Sequence, residues 1–538
     1  MYRVIDLFAG AGGLSLGFKQ TGKFKLVAAA EIMENARLTY MRNIPDDDVR
    51  ENFEFITDIR NCDYNKLKEK VGNIDIVIGG PPCQGFSNAN RQKNHIVSMN
   101  NALVKDYFRA IQELSPIAFV MENVSMLASD THRFYASEVD HDVIEALNKA
   151  NENSPNKIIK MRNDEIVVSN RLFNDFDLVS IAENDDLRKQ LTLPDSLYQL
   201  IRVLNKNKKS KRLDKYMENH VKSIHRSISQ YCCNASQSAG QQVIHNWLNE
   251  IDQNLDNRKF VDLVSLTDLV ELQKVIVSIN EISNNQLIGE YRNQDNTLVF
   301  ATQSYSVIDY VNAILGDKYV QHGATLCAEW FGVPQERRRH IVIGVRKDVL
   351  GDRGFEMPAE PEKYTTVTVG EAILDLSAYK AGTTSDYAEI EYVAQPEISD
   401  YARRMRVGST GVKNHFATNT SKKAQDRFDK IEIGKNFHSL PIEDKDTYSK
   451  PERTQNTIYL KLDPSKPSGT VVNVRKSMWI HPQLSRAITV REAARLQSFP
   501  DNFEFVGTKD SQYQQVGNAV PPLLANGIAN HLLKILEK

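Results

Sequence analysis

The chain of 538 residues contains no apolar run long enough to cross a bilayer. Its first residues lack the basic and apolar stretches of a secretory signal peptide, so we expect a cytoplasmic protein. Only five cysteines are present, and no two of them have the C-x-x-C spacing of a zinc site. This scarcity argues against a disulfide framework and a metal site, and it is typical of a reducing compartment.

The sequence also lacks a large excess of either charge, since 67 Lys or Arg stand against 69 Asp or Glu and the net charge is −2. No global basic field therefore indicates nucleic-acid binding, although local basic patches are compatible with it. Hydrophobic residues make up 41% of the chain, which is ordinary for a globular protein. A chain of this length predicts two or three domains.

The first 125 residues alternate between short apolar runs and helical patterns. Apolar runs at 4–8, 25–30, 74–78 and 117–121 predict strands, with another short strand ending near Asp58. Strands that alternate with helices predict a parallel sheet covered by helices on both faces. In such proteins the chemistry lies at the carboxyl ends of the strands.

The composition changes near residue 130. Residues 130–300 are rich in Asn, Lys and Leu, and apolar residues recur at helical spacing in 197–229 and 260–282. This pattern predicts an inserted, mainly helical region. Strand-like character returns at 340–345.

The last third of the chain begins irregularly and ends regularly. Residues 347–485 contain several prolines and basic clusters without clear periodicity, which predicts a loop-rich domain. Thr489, followed three residues later by Glu492, predicts a capping box at the start of a helix. A final helix is expected within 519–536, with its two prolines near the first turn.

A glycine-rich turn, containing Gly10, Gly12 and Gly13, follows the first predicted strand. Its spacing differs from G-x-G-x-x-G, and no Lys-Ser/Thr pair follows as in a P-loop. Glu31, at the end of the second strand, is placed to accept hydrogen bonds from ribose hydroxyls. Asp58, at the end of the third, could accept from an adenine amino group. The missing pyrophosphate fingerprint favours a nucleoside cofactor such as S-adenosylmethionine (SAM) over NAD.

Residues 79–90, GGPPCQGFSNAN, present Cys83 directly after two prolines at the end of a predicted strand. Prolines fix φ, and the neighbouring glycines allow another molecule to approach the backbone closely. A lone cysteine in a turn is more often structural than reactive. The rest of the chain must therefore decide between a buried thiol and a nucleophile.

Several blocks of the sequence together resemble the DNA cytosine-5 methyltransferases. In order they are DLFAGAGGLSLGF (6–18), Glu31, Asp58, GGPPCQGFSNAN (79–90), MENV (121–124), QERRRHIVIGVR (335–346), REAARLQSFPDNF (491–503) and QVGNAVPP (515–522). The combination of these blocks in this order is highly specific. The resemblance implies an α/β, Rossmann-like SAM-dependent methyltransferase with a mixed, mainly parallel sheet. It also implies a smaller loop-rich target-recognition domain beside the mainly helical insertion.

The resemblance and the composition together divide the chain into five segments. They are 1–129, the SAM- and cytosine-binding part of the catalytic domain; 130–300, the insertion; 301–346, the catalytic domain continued; 347–485, the target-recognition domain; and 486–538, the return to the catalytic domain.

The resemblance implies transfer of a methyl group from SAM to carbon 5 of a cytosine in duplex DNA. It assigns Cys83 as the thiolate that adds to carbon 6 and Glu122 as the group that shares a proton with ring nitrogen 3. Arg339 would hold the ring carbonyl oxygen, and Arg337 would steady the loop or a phosphate. A thiol cannot reach carbon 6 inside a stacked duplex, so the cytosine must be flipped out.

The same resemblance implies a set of residues around SAM. Phe8 would lie on the adenine ring, Glu31 would bind the ribose, Ile32 would cover the adenine face and Asp58 would accept from the adenine amino group. The complete implied set is Phe8, Ala11, Gly13, Glu31, Ile32, Asp58, Ile59, Pro82, Leu103 and Asn518.

Three other functions stay open at this point. An RNA cytosine methyltransferase could share these blocks, but the long basic-studded region 347–485 favours double-stranded DNA. Intact Cys83 and Glu122 argue against a silent DNA-binding regulator, and the missing pyrophosphate loop argues against a nicotinamide-dependent oxidoreductase. The family also suggests a monomer that belongs to a restriction–modification system, with a restriction endonuclease encoded nearby.

The insertion contains a basic stretch, residues 206–226, whose apolar members recur at three- and four-residue spacing. One helix face can therefore pack while the basic side chains point outward. This stretch could be a solvated helix face, a protein-binding surface or a DNA-binding surface.

Overall fold

Two hydrophobic cores divide the computed structural model into two units. The structure describes residues 1–82, 99–123, 133–154, 157–210, 212–234, 238–384, 388–448 and 451–537. The first unit takes the described parts of 1–87, 100–129 and 314–538, and the second takes those of 88–99 and 130–313.

The first unit begins with alternating strands and helices, as the sequence predicts. Its elements are β1 (Tyr2–Leu7), α1 (Gly13–Lys19), β2 (Phe24–Ala30), α2 (Glu34–Asn43), α3 (Asp47–Arg50), β3 (Glu54–Ile56), α4 (Tyr64–Val71), β4 (Ile76–Gly79), α5 (Met99–Leu114) and β5 (Ala118–Asn123). The first strand begins two residues earlier than predicted and ends one residue earlier, because Phe8 leaves it with a φ of 61°.

The second unit contains the predicted helices and also a sheet. Its elements are β6 (Arg133–Tyr135), α6 (Glu138–Ala150), β7 (Arg162–Ser169), α7 (Leu178–Glu183), α8 (Asp185–Leu191), α9 (Asp195–Asn207), α10 (Leu213–Asn234), α11 (Ala239–Gln253), α12 (Val264–Asn284), β8 (Gly289–Gln294), β9 (Thr297–Ser306) and α13 (Val307–Leu315). Strand β9 pairs antiparallel with β6, β7 and β8. The sequence did not predict this sheet, because its strands are partly exposed and share no strict alternation.

The chain then returns to the first unit. The remaining elements are β10 (Tyr319–Cys327), β11 (Arg338–Arg346), α14 (Lys347–Leu350), α15 (Val369–Ile373), β12 (Ile390–Glu391), α16 (Asp400–Arg406), β13 (Gly411–Val412), α17 (Lys422–Lys430), α18 (Val474–Ser477), α19 (Val490–Leu496), α20 (Lys509–Asn518) and α21 (Pro522–Leu536). The predicted capping box opens α19, and Pro522 begins α21 at a position where its missing N–H has no helical partner.

The main sheet has seven strands in the order β10-β11-β5-β4-β1-β2-β3. Strand β11 runs antiparallel to both neighbours, and the strands from β5 to β3 are parallel. Leu7 lies opposite Ala30 and Gly79, and Gly79 lies opposite Met121. The last residues of these strands therefore share one edge of a mixed, mainly parallel sheet.

Residues 347–485 contribute partly to the core around this sheet and partly to a small core of their own. Leu350, Ile373, Met405 and Trp479 are buried in the same cluster as strand residues such as Ile343. A separate cluster contains Phe428, Ile431, Phe437, Leu440, Tyr459, Ile480 and Ala487. Among the described residues, no helix is both long enough and apolar enough to span a bilayer.

The core of the second unit lies mainly between α9, α10, α11 and α12. Helix α12 is the most buried of these four, with Leu266, Leu269, Leu272, Ile276 and Ile279 all inaccessible to solvent. Burial of large aliphatic side chains stabilises such a bundle by about 1.5–3 kcal/mol per side chain. Most apolar side chains of 260–282 are therefore buried inside the unit itself.

Candidate active site

A carboxylate and a guanidinium meet at the carboxyl edge of the main sheet. Glu122 lies near the end of β5 and pairs in register with Ile341 of β11. Nε of Arg339 lies 2.7 Å from Oε1 of Glu122, with side chains that are 18% and 14% exposed. Arg339 also donates to the carbonyl oxygen of Arg338 at 2.7 Å. The antiparallel β11 thus brings an arginine to the edge where the parallel strands end.

The same carboxylate lies against the segment that follows β4. A Cβ atom added to Gly80 would lie 3.0 Å from Oε2 of Glu122, so a larger residue there would press on the carboxylate. Asn123 donates from Nδ2 to the carbonyl oxygen of Pro81 at 3.2 Å. Pro82 is half-buried beside them, and Cys83, the next residue, lies outside the described residues.

Arg337 lies inside the protein, with only 2% of its surface exposed. Its guanidinium donates to the carbonyl oxygens of Val471, at 3.1 Å, and Gly517, at 3.4 Å. Burial and the neighbouring positive charge of Arg339 lower the pKa of Arg337 to about 9. Arg337 therefore ties the loop at Val471 to the end of α20, and its burial keeps it from a DNA phosphate.

Glu31 stands directly after β2 and organises the first glycine turn. Gly10 donates its N–H to Oε2 of Glu31 at 3.0 Å, and Met33 donates its N–H to Oε1 at 2.7 Å. Each oxygen retains a second lone pair, since a carboxylate accepts about four hydrogen bonds. The carboxylate is thus fixed in orientation and still able to accept from a ligand hydroxyl.

The surroundings of Glu31 offer space and apolar surface. Gly10 has a φ of 54°, and a Cβ added there would meet no atom within 4 Å. The side chain of Ile32 is 65% exposed, although isoleucine is usually buried. Phe8 adopts a φ of 61°, which is strained for a bulky residue, and it is only partly buried. An exposed apolar surface therefore lies beside Glu31, whose carboxylate can accept from ribose hydroxyls.

Asp58 is already engaged in this structure. Nη2 of Arg60 lies 2.6 Å from its Oδ2, and the Arg60 N–H donates to Oδ1 at 3.1 Å. These hydrogen bonds lower the pKa of Asp58. Ile59, between them, is buried. An adenine amino group at Asp58 would share the carboxylate with Arg60.

The other predicted cofactor residues differ in exposure. Ala11 and Gly13 are buried, and a Cβ added to Gly13 would lie 2.2 Å from the carbonyl oxygen of Val520. Leu103 is half-buried, whereas Asn518 is exposed and accepts at Oδ1 from Gln514 at 2.6 Å. Gly13 is thus required by the packing of α1 on the segment before α21.

The sequence interpretation missed a buried polar chain beneath the glycine turn. Ser15 donates from Oγ to Oδ2 of Asp6 at 2.6 Å and contacts the hydroxyl of Tyr40 at 2.8 Å. Burial raises the pKa of Asp6 to about 7. The pattern of an acid at the end of a strand, with a serine in the following helix, was the available signal.

Gln335 was also missed as a side chain that joins loops. It is fully buried, and its Nε2 donates to the carbonyl oxygen of Leu496 at 3.1 Å and to Oε1 of Gln497 at 2.9 Å. Its Oε1 accepts from the N–H of Val471 at 2.7 Å. Together with Arg337, it fixes the approach to β11 and so the position of Arg339.

The basic residues of 347–485 are mostly occupied by partners. From the sequence we expect some of the basic residues in this region to contact phosphates and a few to read base edges; they are Arg403, Arg404, Arg406, Lys413, His415, Lys422, Lys423 and Arg427. Six of these form ion pairs, including Arg406 with Asp375 at 2.5 Å. His415 is buried, which lowers its pKa. Within the described residues, Arg404 alone of this set is exposed without an ion pair.

Known proteins resemble this chain along most of its length. The family model for C-5 cytosine-specific DNA methylase matches residues 2–306 and 302–534. The chain is 26% identical to the type II methyltransferase M.DdeI of Desulfomicrobium norvegicum, covering 98% of this chain and 88% of that protein. It is 25% identical to the DNA (cytosine-5-)-methyltransferase M.ApeKI of Aeropyrum pernix, covering 100% and 99%.

A solved structure of a DNA modification methyltransferase encoded within an E. coli prophage has the same fold. Its TM-score is 0.53 at 20% identity, and the match covers 100% of both chains. The α/β fold with a mixed sheet agrees with this likeness. Because the family model covers nearly the whole sequence, the chain belongs to the C-5 cytosine-specific DNA methylases and is a DNA (cytosine-5-)-methyltransferase.

Proposed function

We propose that this enzyme methylates a flipped-out cytosine of a specific duplex sequence through a covalent bond between Cys83 and carbon 6. The observation that carries the proposal is the shielded pair of Glu122 and Arg339 beside Gly80, at the start of the segment that leads to Cys83. Glu122, Arg339 and Cys83 would then approach the cytosine from the ends of three neighbouring strands, β5, β11 and β4.

SAM fits the surface at the ends of β1 and β2. Gly10 faces open space, Glu31 keeps free lone pairs, and Ile32 exposes its side chain. Glu31 would hold the ribose, while Phe8 and Ile32 would cover the adenine. When bound, SAM supplies an electrophilic methyl group on sulfur.

Carbon 5 of cytosine is a weak nucleophile until a group adds to carbon 6. The thiolate of Cys83 would form a bond to carbon 6, and ring nitrogen 3 would take a proton from Glu122. These changes place electron density on carbon 5, which can then attack the methyl group. As carbon 5 takes the methyl group, the electron pair of the methyl–sulfur bond stays on the cofactor, which becomes a neutral thioether. Loss of the carbon 5 proton to a base then re-forms the double bond to carbon 6 and breaks the bond between carbon 6 and Cys83, whose electron pair returns to the thiolate. Ring nitrogen 3 gives its proton back to Glu122, and 5-methylcytosine is released.

Arg339 supports this step by its position. Its Nε holds the Glu122 carboxylate at 2.7 Å, and its remaining N–H groups can donate to the ring carbonyl oxygen. A guanidinium between an acid and a carbonyl oxygen stabilises the negative charge that develops during thiolate addition. Both side chains are mostly buried, which strengthens these interactions relative to water.

The type II names of several relatives support a role in restriction–modification. M.DdeI and M.XorII of Xanthomonas oryzae are type II methyltransferases, and each match spans nearly all of this chain. We propose that the enzyme protects host DNA against a separate endonuclease that reads the same sequence. No direct contact between the two proteins is required.

Trapping on modified DNA tests the covalent step. A duplex carrying 5-fluorocytosine at the target should form an adduct with the wild-type enzyme, because fluorine cannot leave as a proton does. Cys83→Ser should bind SAM and DNA but form neither adduct nor methylcytosine, since a serine hydroxyl is far less nucleophilic at neutral pH.

Cys62→Ser provides the matched control, because Cys62 lies on another loop and burial raises the pKa of its thiol to about 11. This variant should still form the adduct. Absence of a trapped species from wild-type enzyme that demonstrably binds the duplex would contradict the covalent mechanism. Transfer to RNA but not to duplex DNA would instead favour the alternative substrate.

A further inference from the structure

The charge of the second unit is distributed very unevenly along the chain. Residues 130–313 contain 21 Lys or Arg and 26 Asp or Glu. Within residues 202–226, however, nine Lys or Arg accompany only two acids. A unit that is acidic overall therefore concentrates its positive charge on α9, α10 and the turn between them.

Seven of these nine cations are exposed, and they define what we call the basic surface. They are Arg202, Lys206, Lys209, Arg212, Lys215, Lys222 and Arg226. Of the other two, Lys208 donates to Oγ1 of Thr267 at 2.6 Å, and Lys211 lies outside the described residues.

The periodicity of α10 places its cations along one line. Lys222 follows Lys215 by seven residues and Arg226 follows Lys222 by four, spacings that return to the same face of an α-helix. The opposite face carries Met217, Ile224 and Ile228, which are buried. In α9, Arg202 and Lys206 are likewise one turn apart and exposed.

The basic surface differs from several other cations of the second unit in its lack of acidic partners. Lys189 pairs with Asp185 at 2.5 Å, and Lys274 pairs with Glu271 at 2.6 Å. Arg292 pairs with Glu165 in the same way. By contrast, no cation of the basic surface forms an ion pair with a described residue.

Several acids on or near α10 have polar partners outside the basic surface. Arg258 pairs with Asp214 at 2.5 Å, and His225 lies 2.7 Å from Asp252. Glu218 is exposed between the α10 cations, and Asp262 lies near Lys208. The cations still outnumber these acids, so the surface keeps a positive potential.

The apolar faces of these helices offer no comparable surface. Helices α9 to α12 bury their large aliphatic side chains against one another, including Leu204, Ile224, Leu248 and Leu269. Most large apolar side chains of 260–282 are likewise buried inside the unit. The feature of α9 and α10 that stays without a partner among the described residues is therefore the positive charge of the basic surface.

We propose that the basic surface is a second DNA-binding site, which contacts phosphates without reading bases. It would add sequence-independent affinity to the duplex that the first unit methylates. The proposal rests on DNA as the substrate of this enzyme. Exposed Lys and Arg side chains suit phosphate contacts, and phosphates are spaced closely enough to meet several of them at once. The scarcity of unpaired cations in the predicted recognition set of 347–485 supports such a contribution.

The test compares two quadruple variants of the full-length enzyme with wild type. In the first, Lys206, Lys209, Arg212 and Lys215 are replaced by Ala, which is compatible with helix. In the matched control, Lys149, Lys189, Lys274 and Arg292 are replaced by Ala, so the same charge is removed elsewhere from the same unit. Affinity for an unmethylated duplex is measured across a salt series, with thermal melting and SAM binding as checks of folding.

Each lost phosphate contact should reduce the slope of log affinity against log salt by about 0.9. We expect the first variant to lower this slope by about 0.9 to 3.6, with unchanged methyl transfer at saturating DNA. The control should keep the wild-type slope. A slope in the first variant equal to that of the control would overturn the proposal. Lys222→Ala with Arg226→Ala, on the exposed line of α10, gives an independent reading if the first variant melts early.

These results separate the surface from the catalytic proposal. If wild type transfers no methyl group to duplex DNA, the proposed function fails, whereas the salt slope still decides whether the basic surface binds phosphates.

Discussion

Oε1 of Glu122 lies 2.7 Å from Nε of Arg339, and the chain between the two residues contains residues 130–313 of the second unit. The antiparallel register of β11 on β5, with His340 opposite Asn123 and Ile341 opposite Glu122, creates this proximity. A small displacement of either strand would separate the two groups. The insertion is therefore accommodated without disturbing the pair.

We expect Glu122→Gln to lower the rate of methyl transfer by a factor of about 10² to 10⁴, the range for loss of a general acid or base. The amide keeps the shape of the side chain but cannot supply the same proton. Single-turnover transfer from labelled SAM to duplex DNA measures the effect. Binding of DNA by the variant should stay within about twofold of wild type, and an unchanged transfer rate would contradict the assigned role.

Arg339→Ala should reduce methyl transfer and also lower the melting temperature, because it leaves a mostly buried carboxylate without its cation. Arg338→Ala is the matched control, since Arg338 is exposed on the same strand. Melting and transfer are measured for both variants. Equal effects of the two substitutions would show that the ion pair with Glu122 does not account for the losses in melting temperature and methyl transfer.

We expect Glu31→Ala to weaken SAM binding by about tenfold to a hundredfold, as for loss of a charge-assisted hydrogen bond of about 1.5–3 kcal/mol. The variant also loses the acceptor that fixes the N–H of Gly10. Calorimetric titration with SAM measures this change. Glu34→Ala, an exposed acid on the adjoining helix, should bind SAM normally, and unchanged affinity in Glu31→Ala would refute the cofactor assignment.

Asp6 should give the folded state a distinctive pH dependence. Burial raises the pKa of its carboxyl to about 7, above its value of about 4 in the unfolded chain. The folded state therefore holds this proton more tightly, and its contribution to stability is lost as pH rises from about 4 to 7. Over that interval, wild type should lose on the order of 4 kcal/mol relative to Asp6→Asn.

Denaturant unfolding of both proteins at several pH values measures that difference. The Asn variant keeps an acceptor for the hydroxyl of Ser15, so hydrogen bonding is preserved. Parallel stability curves for the two proteins would show that Asp6 does not titrate in this range.

Gly13→Ala should destabilise the protein by about 1–3 kcal/mol through overpacking, because the added Cβ would lie 2.2 Å from the carbonyl oxygen of Val520. Gly354→Ala is the control, since its added Cβ would meet no atom within 4 Å. Thermal unfolding of both variants checks the prediction. Similar stabilities would mean that α1 and the segment before α21 can move apart at little cost.

Much of the first unit could be predicted from sequence because its signals are local. Apolar runs followed by Glu31, Asp58 or the proline-rich segment gave the strands and the edge where their ends meet. The capping box at Thr489 also formed as predicted, since its hydrogen bonds join residues three apart. The residues of the motifs and their order together led to the correct family.

The roles of individual charged residues could not be predicted as well from the sequence. Arg337 and Arg339 stand two residues apart in one motif, yet one is buried against carbonyl oxygens and the other pairs with Glu122. Arg406 and His415 belong to the basic residues expected near DNA, but Arg406 pairs with Asp375 and His415 is buried. Their partners lie far away in sequence, so no local pattern could identify them.

The sequence by itself determined the family, the succession of strands and helices in the first unit, and the chemical identities of the proposed active-site groups. Only the tertiary structure decided that the insertion holds an antiparallel sheet, that its apolar helix faces are satisfied internally, and which cations lack acidic partners. Local spacing controls helices and turns, whereas strand pairing, burial and charge compensation depend on residues that only folding brings together.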